Sequence, residues 1–346
     1  MSATEVITGF RSAREVLAQS RTLLDPALRA AVDTLPPSMR RIAGYHFGWW
    51  DEQGWATTAD AGKAVRPALV MTSAEAVGGS AAMAVPAAVA VELVHNFTLL
   101  HDDVMDGDRT RRHRPTAWNV FGLGPAILAG DALLTLAYDV LAATEHPRAQ
   151  EASRIMSAAV LAVQEGQAAD LAFEKRADVG LAECVGMAEG KTGALLGCST
   201  ALGALFGGGA ATQVDHLRTY GERLGLAFQL VDDLLGIWGD PAATGKPVYS
   251  DLDNRKKSLP VVAALASDTT AGRELAALYH RRTPLSAADL VRAADLIDHT
   301  GARTWAQTHA DEVLTEALHH VRSANVTPRA TAELDAMAHL IGRRNH

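Results

Sequence analysis

Apolar positions recur at helical spacing along most of this chain, and alternating β-branched runs are nearly absent. No stretch makes a convincing strand, so the pattern predicts an all-α protein. Pro36-Pro37 and Gly54 break the N-terminal helical material. A helix is expected over 68–77, with Pro67 in its first turn. After Gly78-Gly79, a central helix is expected over 82–106, and others over 125–143, 149–172, 181–206 and 213–238. Residues 239–253, rich in Gly, Pro and Asp, read as a polar loop. The remainder, from about 261 to 346, reads as amphipathic helices broken near Thr283-Pro284, Gly301 and Pro328. No repeat or long linker appears, so a single domain over 1–346 is expected, with 1–20 as a mobile N-terminal segment.

The polar residues that interrupt these apolar runs carry the chemistry. The central helix ends in Asp102, Asp103 and Asp106, then Gly107, then Arg109, Arg111, Arg112 and Arg114. Asp102 and Asp106 are one helical turn apart and share a face. Carboxylates at a helix C-terminus meet an unfavourable backbone dipole, and a hard divalent cation such as Mg²⁺ would compensate. The arginines beyond suit an anion, because guanidinium forks match phosphate oxygens. Read alone, the same stretch also fits a solvated charged loop. A second acidic pair, Asp232-Asp233, interrupts the apolar run after Phe228-Gln229. Buried carboxylates need partners. Lys63 and Arg66 lie one turn apart in Gly62-Lys63-Ala64-Val65-Arg66-Pro67, in isolation an ordinary exposed pair. Glu92, His95 and Asn96 are polar positions on the central helix, and Gln164, Gln167 and Asp170 share a face of a later one. Lys191-Thr192 stands between Gly190 and Gly193, where each glycine costs about 1 kcal/mol of helix stability. Either a kink turning Lys191 toward a ligand or a packing accommodation explains it.

Composition narrows the classes. The 346 residues carry net charge −8, with 48% apolar and 21% charged content, as in a globular protein. That balance argues against a broad nucleic-acid footprint. The two cysteines, Cys184 and Cys198, suggest neither a disulfide framework nor a zinc site, and free thiols in a reducing cytosol are expected. The N-terminus lacks the apolar core of a signal peptide. Residues 193–214 have no charged side chain, but small residues and Gly207-Gly208-Gly209 favour a buried helix over a membrane span.

Two acid clusters 130 positions apart, with isolated cations at Lys191, Lys246 and Lys256, are what ionising a diphosphate ester requires. In this arrangement the sequence resembles the all-trans polyprenyl diphosphate synthase family, from Gly62 to Pro260. The matching pieces are Gly62 to Pro67, Asp102-Asp103-Val104-Met105-Asp106, Arg111-Arg112, Pro115-Thr116, Gly130-Asp131, Gly166-Gln167 with Asp170, Lys191-Thr192, and Phe228-Gln229 before the second acidic pair. The resemblance implies a helical bundle of the isoprenoid synthase type with a central active-site cavity. It implies a cytoplasmic homodimer that acts on isopentenyl diphosphate and an allylic diphosphate, with no nucleic-acid partner and no integral membrane segment. It further implies that Asp102, Asp103 and Asp106 with Asp232 and Asp233 bind about three Mg²⁺ ions. Arg111, Lys191 and Lys246 would contact the allylic diphosphate, with Lys256 closing over it. Lys63, Arg66, His95 and Arg112 would hold isopentenyl diphosphate. Thr192 and Gln229 would lie beside the reacting carbons. In the family the leaving diphosphate takes the proton, so no side-chain base is needed.

Two positions depart from the family pattern. Gly236 replaces the third aspartate of the second motif, which would loosen one metal, and His113 replaces the glycine after Arg111-Arg112. Product length follows from helix geometry. Phe97 lies about 7 Å below Asp102 along a helix, where its ring would floor the tunnel for the growing chain. With Thr98 beside it and no insertion in the first motif, the pattern resembles geranylgeranyl (C20) synthases. Two rivals remain: a class I terpene cyclase on the same fold, which would lack the isopentenyl site, and a non-catalytic subunit of a hetero-oligomeric synthase, which would have eroded acidic motifs. A calcium loop at Asp103 to Asp108 lacks the spacing and the terminal glutamate of an EF-hand.

Overall fold

A computed structural model describes residues 9–57, 62–241, 247–281 and 283–342. Its helices begin with α1 (Ala13–Asp33), α2 (Pro37–His46), α3 (Val65–Ala76) and α4 (Val85–Met105). The start of α1 is set by a capping box in which Ser12 and Glu15 satisfy each other's backbone N–H groups. Its buried Val16, Ser20, Leu24, Leu28 and Val32 fall at intervals of four, so one stripe faces inward. Helix α4 is apolar nearly all round because α1, α3 and α6 (Leu123–Ala142) pack against it. A short helix α5 (Ala117–Phe121) precedes α6, and α7 (Ala149–Phe173), α8 (Leu181–Ala188), α9 (Ala194–Phe206) and α10 (Ala211–Trp238) follow. Further helices span Ser250–Asp253, Leu259–Leu265, Thr270–Tyr279, Ala287–His299, Ala302–Ser323 and Pro328–Gly342.

The all-α expectation holds, apart from an isolated antiparallel bridge between Trp50 and Ala56 and one short ladder. Thr110–Arg111 and Arg114–Pro115 form a two-residue antiparallel ladder, too short to give a period-two signal. Part of the expected polar loop over 239–253 is helical, at Ser250–Asp253. The expected helix over 181–206 is one helical run in which α8 and α9 are joined by a π-helical turn, Glu189–Gly193.

The described chain forms two compact units. The first comprises Met1–Ala158, Cys198–Arg218 and Val321–Met337, and the second comprises Ala159–Gly197, Thr219–His320 and Ala338–His346. In the first, α4 is the central core element. In the second, Ile237, Leu252, Val261, Leu275 and Leu296 belong to one fully covered apolar cluster. Within Ala81–Met105 and within α6 there is enough length and apolarity to cross a membrane, but 67% of the best window of the former is buried, as in a core helix. Leu202, Leu205 and Phe206 of α9 are buried, as expected of the uncharged stretch. Cys184 and Cys198 are buried free thiols, and Cys184 Sγ donates to the Lys257 carbonyl at 3.3 Å.

Candidate active site

In the first unit the acids at the end of α4 differ from one another. Asp102 is half-buried and Asp106 exposed, while Asp103 is 1% exposed. The Arg111 guanidinium places both Nε and Nη2 at 2.7 Å from Asp103 Oδ1. Oδ2 is buried and has no hydrogen-bond partner among the described residues. Burial pushes the Asp103 carboxyl above its usual range, against the pull of Arg111. The hairpin 110–115 delivers Arg111 to this position. Its turn residues, Arg112 and His113, have φ of +50° and +61°. Two left-handed residues in a two-residue turn match the twist of the flanking strands, and glycine takes that conformation without strain. This is the physical meaning of a glycine at position 113 in the family pattern, and His113 adopts the conformation at a steric cost.

Arg112 packs against Gly62, where a Cβ would lie 2.6 Å from the guanidinium. Gly62 is itself left-handed, at φ +82°, so two independent constraints call for glycine there. Arg21 of α1 donates to the Gly62 carbonyl. Across from it, Arg66 Nη1 lies 3.3 Å from His95 Nε2. Burial, then Arg66, Arg112, Arg111 and His46, hold His95 well below its ordinary pKa, so it is a neutral imidazole. Burial likewise drives His46 down to about 3, with Arg112 and Arg111 adding to the effect. Glu92 lies beneath the cations, and Asn96 Nδ2 donates to its carbonyl at 2.8 Å and to Oε1 at 3.1 Å. Burial raises the Glu92 carboxyl, and Arg66, Asn96, Arg112 and Arg21 oppose the rise. The structure thus brings Arg66, His95 and Arg112 together, and adds Arg21 and His46, which the sequence reading missed. Lys63 is exposed. A small pocket is lined by His46, Asp103, Arg111, Arg112 and Arg114.

In the second unit the π-helical turn explains Gly190-Lys191-Thr192-Gly193. A Cβ at Gly190 would lie 2.9 Å from the Ala162 carbonyl, and one at Gly193 3.1 Å from that of Glu222. The packing reading holds, since the glycines permit close approach; the turn also brings Lys191 to Asp170, a protein carboxylate, with Nζ 2.6 Å from Oδ2. Thr192 Oγ1 donates to Gln229 Oε1 at 2.8 Å, and Gln229 Nε2 donates to Asp233 Oδ1 at 2.8 Å. The Leu259 N–H donates to Asp233 Oδ2, also at 2.8 Å. Asp233 is 2% exposed, and burial raises it to about 6, despite Lys256 and these hydrogen bonds. Lys256 is penalised by burial, but Asp233, Asp251, Asp170 and Asp232 together raise it above an ordinary lysine. Asp251 was not anticipated. Any Cβ at Gly236 would overlap its carboxylate, so the space beside position 236 already holds an acid, delivered by the helix Ser250–Asp253. Lys246 lies outside the described residues. Gln167 is buried, and neither its Nε2 nor its Oε1 has a partner among the described residues.

Comparison with known proteins places this all-α chain among the prenyltransferases. A family model for polyprenyl synthetase matches residues 49–297, a span that contains every candidate site residue from Lys63 to Lys256. The (2E,6E)-farnesyl diphosphate synthase of Mycobacterium tuberculosis is 49% identical over 329 residues, covering 94% of this chain and 92% of that protein. The geranylgeranyl diphosphate synthase of the same organism is 45% identical over 332 residues, covering 96% and 94%. The crystal structure of polyprenyl synthetase from Streptomyces coelicolor A3(2) superposes with a TM-score of 0.91 at 47% identity, covering 94% of this chain and 98% of that one. The chain belongs to the polyprenyl synthetase family and has its isoprenoid synthase fold.

Proposed function

We propose that the chain condenses isopentenyl diphosphate with dimethylallyl, geranyl or farnesyl diphosphate and releases geranylgeranyl diphosphate. The observation that carries chain elongation is the grouping of Arg66, His95 and Arg112 about Gly62. A diphosphate that keeps its charge throughout the reaction needs such a cradle, and a cyclase with one diphosphate substrate has no use for it.

In this reading Lys63, Arg66, His95 and Arg112 hold isopentenyl diphosphate. Neutral His95 donates a hydrogen bond without adding charge beside Arg66. Arg111, Lys191, Lys246 and Lys256 balance the allylic diphosphate. Asp102, Asp103, Asp106 and Asp232 would hold about three Mg²⁺ ions; Asp233, expected among the ligands, has both carboxylate oxygens engaged by Gln229 and the Leu259 N–H and instead fixes Gln229. In donor chemistry these acids suit a hard cation, since all are carboxylates and Asp103 keeps a buried oxygen unpartnered, although among the described residues no three potential ligands converge on one point. Bound Mg²⁺ supplies charge neutralisation that makes diphosphate a better leaving group. The C1–O bond of the allylic substrate breaks, and its electron pair leaves on the diphosphate. The double bond of isopentenyl diphosphate attacks C1, and a proton lost from C2 to the departed diphosphate forms the new double bond. Thr192 gives its hydroxyl hydrogen to Gln229, so its lone pairs remain for an electron-poor carbon. Gln229 is fixed in turn by Asp233.

Phe97, 5% exposed on α4, supports the C20 stop as the tunnel floor. The similar proteins include both farnesyl and geranylgeranyl synthases, so product length rests on that floor. Leu123, Ile127 and Leu128 leave an exposed apolar face on α6, which supports a homodimer. Buried free thiols accord with a cytoplasmic location.

The test incubates the protein with Mg²⁺ and isopentenyl diphosphate, supplies each allylic starter separately, and identifies products by mass. Linear diphosphates are expected. Cyclic hydrocarbons would indicate the cyclase, and no turnover with any starter would indicate the non-catalytic subunit.

A further inference from the structure

Gly130-Asp131 on α6 has no part in the chemistry above, although its place in the sequence is distinctive. Its surroundings are specific. A Cβ at Gly130 would overlap the imidazole of His101, the residue before Asp102. With glycine at 130, the Cδ2–Nε2 edge of the ring comes close against the α6 backbone. His101 Nε2 is 3.0 Å from the Ile127 carbonyl oxygen. A carbonyl only accepts, so Nε2 carries the hydrogen. Asp131 Oδ1 is 3.6 Å from the same nitrogen. The imidazole also meets Phe97, one turn earlier on α4, edge to face, with centroids 4.8 Å apart and an interplanar angle of 68°. The histidine is therefore wedged between α6 and the Phe97 ring, and its own rotation is stopped by the bond to Ile127. Phe97 cannot swing toward α6 unless His101 leaves.

We infer that His101, seated on Gly130 and tied to Ile127, is a positioning residue that fixes the Phe97 ring and thereby sets the length at which the product stops growing. This rests on the reading of Phe97 as the tunnel floor. The family chemistry at Asp102 and Asp103 does not require it, because His101 faces α6.

The experiment measures product-length ratios by mass, at matched turnover, with geranyl diphosphate as the starter and the full chain as the enzyme. Variants are Phe97→Ala, His101→Ala, His101→Gln, Gly130→Ala and the Phe97→Ala/His101→Ala pair. His101→Ala and Gly130→Ala are expected to raise the share of products one isoprene unit longer by about tenfold, the discrimination a small group commands in an apolar pocket. His101→Gln, which keeps a donor for Ile127, is expected to recover part of the parent ratio. The double variant should match Phe97→Ala alone, since both act through one ring. If His101→Ala and Gly130→Ala lower melting temperature or turnover at an unchanged ratio while Phe97→Ala lengthens products, the histidine merely packs α4 on α6 and the inference is overturned. If Gly130→Ala does not fold, the two His101 variants decide the matter by the same ratio. If Phe97→Ala leaves the ratio unchanged, the floor reading itself fails, and the inference falls with it.

Discussion

At the first acidic motif the carboxylates stand among arginines; at the second, a lysine stands among carboxylates. Asp103 is tied to Arg111, with Arg112 and Arg114 on the same hairpin, and both the Asp102 and Asp106 side chains are at least partly open to solvent. Asp233 is instead sealed by Gln229 and the Leu259 N–H, and Lys256 faces Asp233, Asp251, Asp170 and Asp232. The first motif sets four acids, Asp102, Asp103, Asp106 and Asp108, beside four arginines, Arg109, Arg111, Arg112 and Arg114, largely at the surface. The second holds its acids in low dielectric by internal compensation. Similar letters in the sequence therefore describe a partly open edge in one unit and a buried ionic core in the other.

Removing the compensating charge should have the largest effect. Lys256→Met removes the cation that offsets buried Asp233, and a stability loss of about 3–5 kcal/mol is expected in urea unfolding at pH 7. The deficit should shrink as pH falls. Asp233 already has a raised pKa, about 6, so the folded state takes up its proton before the unfolded chain does, and lowering pH through 6 favours folding at this site. A deficit independent of pH would mean that Lys256 does not compensate Asp233.

At the first motif, activity should be lost more readily than stability. Asp103→Asn is expected to lower kcat by about 10²–10³-fold and unfolding free energy by about 1.5–3 kcal/mol, the range for a charged hydrogen bond. Exposed Asp106→Asn should lower kcat with an unchanged melting temperature. Equal stability losses for both would erase the distinction between them.

Gly236→Asp restores the family's letter but places a side chain onto Asp251. A loss of about 1–3 kcal/mol is expected from the overlap, and Asp251→Ala in the same background should recover most of it. A stable, more active Gly236→Asp enzyme would show that the Asp251 carboxylate does not fill that space. The smallest effect is at the hairpin. His113→Gly relieves a left-handed residue and should stabilise the chain by about 0.5–1 kcal/mol in thermal unfolding.

Much of this was legible in the sequence. The helices declare themselves through apolar spacing, and the acids, Lys191-Thr192 and Phe228-Gln229 stand out because they interrupt it. The π-helical turn was foreshadowed by Gly190 and Gly193, whose cost inside a helix signalled a constraint. What stayed hidden depends on distant contacts. Arg21 reaches Gly62 from 41 positions away, and Asp251 fills the space at Gly236 from a stretch that reads as loop. His46 resembles any helix-end histidine until the arginines surround it. The hairpin at 110–115 is shorter than any periodicity, and only its left-handed turn gives meaning to the glycine that His113 replaces.

The central claim, elongation that stops at C20 above Phe97, is tested most directly with farnesyl diphosphate as the sole allylic starter. With Mg²⁺ and isopentenyl diphosphate, the mass of the product should correspond to farnesyl diphosphate extended once, to geranylgeranyl diphosphate, and no further. Recovery of unextended farnesyl diphosphate, from an enzyme that extends geranyl diphosphate, would contradict it.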